Sequence, residues 1–381
     1  QQIELLGLLA LDNYIHDGTA YAHLTSGTVR GLESVTREAV RRFYRTWYQP
    51  ENITVGVSTT EATIVSQLAQ ALAGVGSSAS DANPFTARAI APPPTIRGRH
   101  LTLIGLPKAM ASGLHAAFPI PLTRADKDYW PLYVANVWFG THRDSFSHLY
   151  QVIREERGYN YGDYSYIEHF EGRPFALFPP TNSPRRYQYF SIWIRPVAHD
   201  YVHHLLKALT WELENFIRQG LTAEQVELAK NKARVLYLSL AESTARLVGY
   251  KLDDDFYGLT PGYLDQYLAQ IDAVTAEQVN AAIRRYLQVD NLRYLVITDQ
   301  AVAEKLAEDI ATGRNARGKS LPEYQIDAEE RAGTKYWLVT EAKLATVRQD
   351  AVWEAYPLAI PRQNIRIVKA EQMFETAAFP Q

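Results

Sequence analysis

Val35-Thr36-Arg37-Glu38-Ala39-Val40 and Val274-Thr275-Ala276-Glu277-Gln278-Val279 open two stretches that run in step without a gap. They continue through Gln49-Pro50-Glu51-Asn52 and Gln288-Val289-Asp290-Asn291 to Thr59 and Thr298. The offset is 274 − 35 = 239, and identical residues stand at 35/274, 36/275, 38/277, 40/279, 45/284, 49/288, 52/291 and 59/298. Each copy starts with a Thr suited to cap a helix and a Glu two positions on, in the first turn, where it meets the positive end of the helix dipole. An amphipathic helix, a polar Gln-x-Glu/Asp-Asn turn and a short apolar strand follow, Ile53 to Val57 in one copy and Leu292 to Ile297 in the other. Further helical stretches come next, near Ala62–Ala73 and Ala301–Ala311. Capping grammar alone recurs at Thr222-Ala223-Glu224, but it does not explain a match carried through turn and strand. The repeat therefore predicts two homologous halves.

Between the copies, Ser77-Ser78-Ala79-Ser80-Asp81-Ala82-Asn83-Pro84 and Ala91-Pro92-Pro93-Pro94 have the composition of a linker. The expected organisation is a remnant of the first half at 1–75, a linker at 76–97, a second half at 98–312 and a tail at 313–381. Carrying the start of the second half back by the repeat offset places about 140 residues of the first half before Gln1. Gln1-Gln2-Ile3-Glu4-Leu5-Leu6 itself reads as the middle of a helix.

The second half reads as strands at 101–104, 115–118, 161–168 and 187–194, with a last one at 292–297. Helices are expected at 126–139, 146–157 with Ser145 as N-cap, 200–218, 222–247, 261–271 and 275–287. The tail reads as irregular, with an edge strand near 357–368. Strands combined with long packed helices predict an α+β fold: two sandwich-like halves, each an antiparallel-rich sheet packed by helices, the first truncated.

With 381 residues, 46% of them hydrophobic, the chain has apolar material for a large core. A net charge of −3 with both signs mixed does not point to nucleic acid or a polybasic membrane contact. Mean hydropathy is −0.25, and no apolar run approaches the ~18–20 residues of a bilayer span. Cysteine is absent, which removes disulfides, thiolate nucleophiles and Cys-ligated zinc together. It leaves the compartment open between cytoplasm and periplasm.

No H-E-x-x-H, H-x-x-E-H, G-x-S-x-G, P-loop or G-x-G-x-x-G pattern occurs in the chain. His199 and His203 have the i, i+4 spacing of two metal ligands, but no carboxylate stands at the usual peptidase offset, and a solvated helix face explains them. Asp253-Asp254-Asp255 reads as a polar loop after a helix, and His142 as a loop histidine near a possible ligand. No metal site is therefore expected on this chain.

The informative stretch is Ile153-Arg154-Glu155-Glu156-Arg157-Gly158-Tyr159-Asn160-Tyr161. A helix ends at Gly158 as a left-handed cap, leaving Arg154 on its last turn and Tyr161 at the entry to a strand. A guanidinium and a phenol projecting to one side can bind a carbonyl or a developing oxyanion. Equally, Arg154 can stabilise the helix C-terminus and Tyr161 can pack in the sheet.

This run resembles the I-R-E-x-R-G-x-x-Y motif in the C-terminal half of pitrilysin/insulinase-type zinc metallopeptidases, the processing-peptidase-like group with two homologous halves. Phe139-Gly140 through Ser145-Phe146-Ser147-His148-Leu149 resembles that family's glycine-rich loop and S-R-L helix start, with one glycine lost and His148 in place of Arg. The resemblance implies two halves closing like a clam shell on a peptide, which adds as a strand to a sheet edge. It implies zinc as the cofactor of the complete enzyme, held by an H-x-x-E-H motif and a distant Glu of the first half, upstream of Gln1. Arg154 and Tyr161 are the substrate-binding and catalytic residues it assigns here, Arg154 gripping the peptide backbone and Tyr161 the scissile carbonyl. The implied partners are a peptide substrate and either a homo- or heterodimer mate or a companion chain with the zinc motif. A non-catalytic partner subunit and a structural relative of respiratory-complex core proteins are the alternatives.

Overall fold

The computed structural model describes residues 3–75, 91–95, 97–170, 178–314, 346 and 350–374. Its centre is one mixed six-stranded sheet in the order β3-β4-β2-β5-β1-β6. The strands are β1 (His100–Gly105), β2 (Ser112–Ile120), β3 (Asp163–Tyr166), β4 (Gln188–Val197), β5 (Arg293–Thr298) and β6 (Ile365–Lys369). β1 runs parallel to β5 and β6, while the β2/β4, β2/β5 and β3/β4 pairs are antiparallel. The expected α+β class with a largely antiparallel sheet holds. The tail provides the edge strand β6, later and shorter than the sequence suggested.

The strands are apolar almost without interruption because both faces are covered. On β5, Tyr294 and Val296 join the large core, whereas Leu295 and Ile297 point the other way. The large core packs the sheet against α5 (Tyr129–Gly140), α6 (Val202–Gln219), α7 (Ala223–Leu240), α9 (Tyr263–Ala273) and α10 (Ala276–Tyr286). The single helix expected at 222–247 is two: α7 ends at Leu240, and Ser243 accepts from Arg246 N to start α8 (Thr244–Tyr257). Asp253, Asp254 and Asp255 therefore lie inside α8, not in a loop after it.

The opposite face is covered by α1 (Ile3–Ile15), whose Ala10, Leu11, Tyr14 and Ile15 are buried against Ile104, Ala117, Leu295 and Ile297. Glu4 pairs with Arg195, and Asp12 with Arg185.

The repeated segments adopt the same helices. α3 (Arg37–Trp47) and α10 have bounds separated by the sequence offset, and Thr36 and Thr275 each accept a backbone N–H three residues on. α4 (Ala62–Leu72) and α11 (Gln300–Ala311) follow, and the short α2 (Val29–Glu33) precedes α3. The strands differ. Residues 53–57 pair with no strand among the described residues, and Val55 and Val57 are 47% and 43% exposed. A strand forms only where neighbours accept its hydrogen bonds, so the expected strand Ile53–Val57 is an extended segment here. It does meet α8: a Cβ on Gly56 would lie 2.5 Å from Val248 Cγ1. α1 thus lies against β5, the strand of the second copy, and α8 against residues 53–57, the matching segment of the first.

Candidate functional site

The helix expected over 146–157 is a π-helical turn, Tyr150–Glu155, entered from Leu149. Glu156 N donates to Gln151 O at 2.9 Å, the wide i+5 spacing. Ser145 is not the N-cap; Asp144 organises the approach, its Oδ1 accepting from Phe146 N at 3.0 Å. Such wide turns are frequent at functional sites. Gly158 has φ of 69°, as the C-cap reading required, and its N–H closes on Arg154 O at 2.7 Å.

Arg154 lies on this last turn. Its guanidinium pairs with Glu155 and sits 4.8 Å over the Tyr150 ring. Tyr161, on the far side of Gly158, is 76% exposed and hydrogen-bonds to no described residue. The two side chains flank one turn and are not hydrogen-bonded to each other.

What lies between them is fixed. The Asn160 amide donates to Asp163 Oδ1 at 2.6 Å and to Arg195 O at 3.2 Å, and Asn160 Oδ1 accepts from Gly162 N at 3.1 Å. Burial pushes the Asp163 carboxyl well above the usual carboxylate range. Gly162 is required: its φ is 152°, and a Cβ there would come within 2.2 Å of the Tyr164 hydroxyl. Arg157 donates Nε to Asp350 Oδ1 at 2.6 Å and Nη1 to Val152 O at 2.6 Å, and its guanidinium lies 4.0 Å from the Trp353 ring centre. Tyr159 OH donates to Asp350 Oδ2 at 3.0 Å. The tail, read from sequence as irregular, is helical over residues 350–355 and clamps this turn. Sequence reasoning missed Asp350; the one signal was a second arginine in the motif without an assigned partner.

The other candidates are structural. His199 and His203 do not form a solvated face: His199 shares Ser112 Oγ at 2.8 Å and Ala109 O at 3.0 Å, and His203 is 4% exposed. His199 sits in a 3₁₀ turn before α6, so the two imidazoles do not share one helix face. His204 is buried between Glu354 and Asp350. Asp253 bonds Arg124 at 3.1 Å and Asn182 N at 3.0 Å, and Asp254 bonds Tyr263 N at 2.7 Å. His142 bonds the Tyr166 hydroxyl beside a small cavity of about 70 Å³, and burial pushes its imidazole down to about 3. His148, standing where the resemblance expects Arg, turns inward to Glu212 at 2.7 Å and stacks on Trp138. Among the described residues no group of three or more His, Asp or Glu could hold a metal. No helix among the described residues is long and apolar enough to cross a membrane.

The chain thus presents a mixed sheet with long helices on one face and a crossing helix on the other, with the Arg-x6-Tyr turn beside the edge strand β3. Residues 34–233 match the family described as the peptidase M16 inactive domain. The chain belongs to the peptidase M16 family, in agreement with the resemblance read from its motif. An uncharacterized zinc protease of Streptomyces coelicolor is 28% identical over 265 residues, 68% of this chain and 53% of that protein. The chain thus spans about half the length of that relative. A peptidase M16 inactive domain from Pseudomonas fluorescens superposes with a TM-score of 0.64 at 22% identity, covering 79% of this chain and 66% of the other. A protease from Helicobacter pylori gives 0.62 at 13% identity, covering 76% and 66%.

Proposed function

We propose that this chain is the substrate- and transition-state-binding half of a zinc-dependent peptidase, with the metal and general base supplied by a first half bearing H-x-x-E-H. Tyr161 donates its phenol hydrogen to the scissile carbonyl oxygen as that oxygen gains charge, and Arg154 binds a peptide carbonyl. The carrying observation is Tyr161 itself: an exposed phenol with no hydrogen bond to a described residue, at the end of a turn whose neighbours are fixed on both sides. Arg154 can be recruited at little cost. Its pairing with Glu155 is between side chains 33% and 41% exposed, and such pairs are worth about 0–1 kcal/mol.

The surface of residues 29–72 supports a partner. α2, α3 and α4 bury no residue, and Val40, Phe43 and Tyr44 of α3 are 55%, 57% and 47% exposed. At the repeat offset from Val40 stands Val279, fully buried at 0%. The same amphipathic helix in the second half is covered by α5, α6 and α7, and α3 calls for an equivalent cover.

Tyr161→Phe in the assembled enzyme is expected to lower peptide-cleavage kcat by roughly 10²-fold, the scale of one oxyanion donor. An unchanged kcat would remove Tyr161 from the contacts to the scissile carbonyl. A non-catalytic partner subunit is the second reading, favoured by the match to a domain described as inactive and by the lack of a ligand group among the described residues.

A further inference from the structure

Tyr161 is 76% exposed and hydrogen-bonds to no described residue, so its placement rests on the backbone that bears it. Such backbone holds its position only as firmly as its neighbours fasten it. Fastening on both sides of the Arg154 turn converges on one short segment of the tail, residues 350–354. This strap lies outside residues 34–233, so membership of the family does not assign it a role.

The entry to the turn is held through α6. Glu212, 4% exposed, has its Oε2 2.7 Å from Nε2 of His148, just ahead of the turn. Its Oε1 accepts from Trp353 Nε1 of the strap at 3.0 Å. The Trp353 ring in turn carries the Arg157 guanidinium, 4.0 Å from its centre. One helical turn back along the strap, Asp350 accepts from Arg157 Nε on one oxygen and from Tyr159 OH on the other. Contacts therefore run from His148 through Glu212, Trp353, Arg157 and Asp350 to Tyr159, two residues before Tyr161. The strap also docks on α6, where His204 Nδ1 lies 2.7 Å from Glu354 Oε1 and Lys207 Nζ donates to Glu354 O at 2.7 Å. Both oxygens of Glu212 and of Asp350 are engaged, so losing either carboxylate strands buried donors.

We infer that Glu212 and Asp350 are positioning residues for peptide cleavage. Through the strap they hold the entry and the exit of the turn at a fixed separation, and so set where the Tyr161 phenol meets the scissile carbonyl. The inference rests on the role proposed for Tyr161. Neither carboxylate touches substrate. Misplacing a reacting group by about 1 Å costs up to ~10²-fold in rate, so slack in the strap is felt as lost turnover.

The test has two arms. In the full chain, Glu212→Ala should speed amide exchange of residues 149–162 by roughly tenfold, with thermal melts reporting folding. Glu212→Gln should restore protection, because its amide can still bond both His148 and Trp353. Trp353→Phe keeps a ring under Arg157 but loses the indole N–H, and serves as the second variant with the same expected direction. In the assembled enzyme, Asp350→Asn should lower kcat by roughly tenfold with KM within about twofold, and should cost nothing further in a Tyr161→Phe background. Wild-type exchange in folded Glu212→Ala and Trp353→Phe, or an equal kcat loss in both backgrounds, would overturn the inference. An unchanged kcat in Tyr161→Phe alone would remove the role of Tyr161 and this inference with it, whereas wild-type exchange would remove the strap and leave that role standing.

Discussion

Arg157 and Asp350, 193 residues apart in sequence, meet through a 2.6 Å charge-assisted hydrogen bond that is almost wholly buried, with side chains 5% and 3% exposed. Tyr159 bonds the other oxygen of the same carboxylate. The turn between Arg154 and Tyr161 is thereby fastened to the tail of the chain. Removing one member of such a pair leaves the other charge buried, which costs about 3–5 kcal/mol. Asp350→Ala is accordingly expected to lower unfolding free energy in urea by about 3 kcal/mol or more. A loss under about 0.5 kcal/mol would mean that the tail does not anchor the turn.

Gly7 faces His115 across the α1–sheet contact, and a Cβ at Gly7 would lie 2.1 Å from the imidazole Nε2. Gly7→Ala gains up to about 1 kcal/mol in helix propensity. Overpacking against a ring that is 2% exposed costs about 1–3 kcal/mol. The second effect wins, so the variant should be less stable, with amide exchange rising first along α1. Unchanged protection of α1 amides would show that His115 can turn aside at no cost.

Burial holds four imidazoles far below the ordinary 6.5: His16 and His203 at about 4, His115 and His142 at about 3. The unfolded chain takes up these protons first, so the stability the groups contribute is complete above about pH 6.5 and is lost as pH falls through 4 and 3. Asp163 and Asp253, raised chiefly by burial, act in the opposite sense, but the imidazoles outnumber them. Urea unfolding at pH 7.5, 6 and 5 should show falling stability. His115→Phe should flatten the slope by up to about 1.4 kcal/mol per pH unit. Identical slopes in the two proteins would contradict the buried, neutral state of His115.

The exposed face of α3 yields a prediction about assembly. Val40→Glu should change the stability of the isolated chain by less than about 0.5 kcal/mol, since the side chain is 55% exposed. The same change should abolish co-elution with a first half carrying H-x-x-E-H. Retained co-elution would remove α3 from the interface.

The sequence alone determined the repeat, and with it the helices α3, α10, α4 and α11, because capping residues and amphipathic spacing are local signals read within a few turns. It also determined the α+β class and the left-handed cap at Gly158. Only the tertiary structure decided that residues 53–57 pair with no strand among the described residues while β5 is a central strand, since backbone hydrogen bonds depend on neighbours that no local pattern encodes. The same holds for His199 and Asp253, whose spacing suggested surface chemistry and whose partners Ser112 and Arg124 come from a distant strand and loop. The Arg157–Asp350 pair likewise arises from contact between segments far apart in the chain. Periodicity along the chain encodes which face of an element is apolar, whereas the identity of what meets that face is set only when the chain folds.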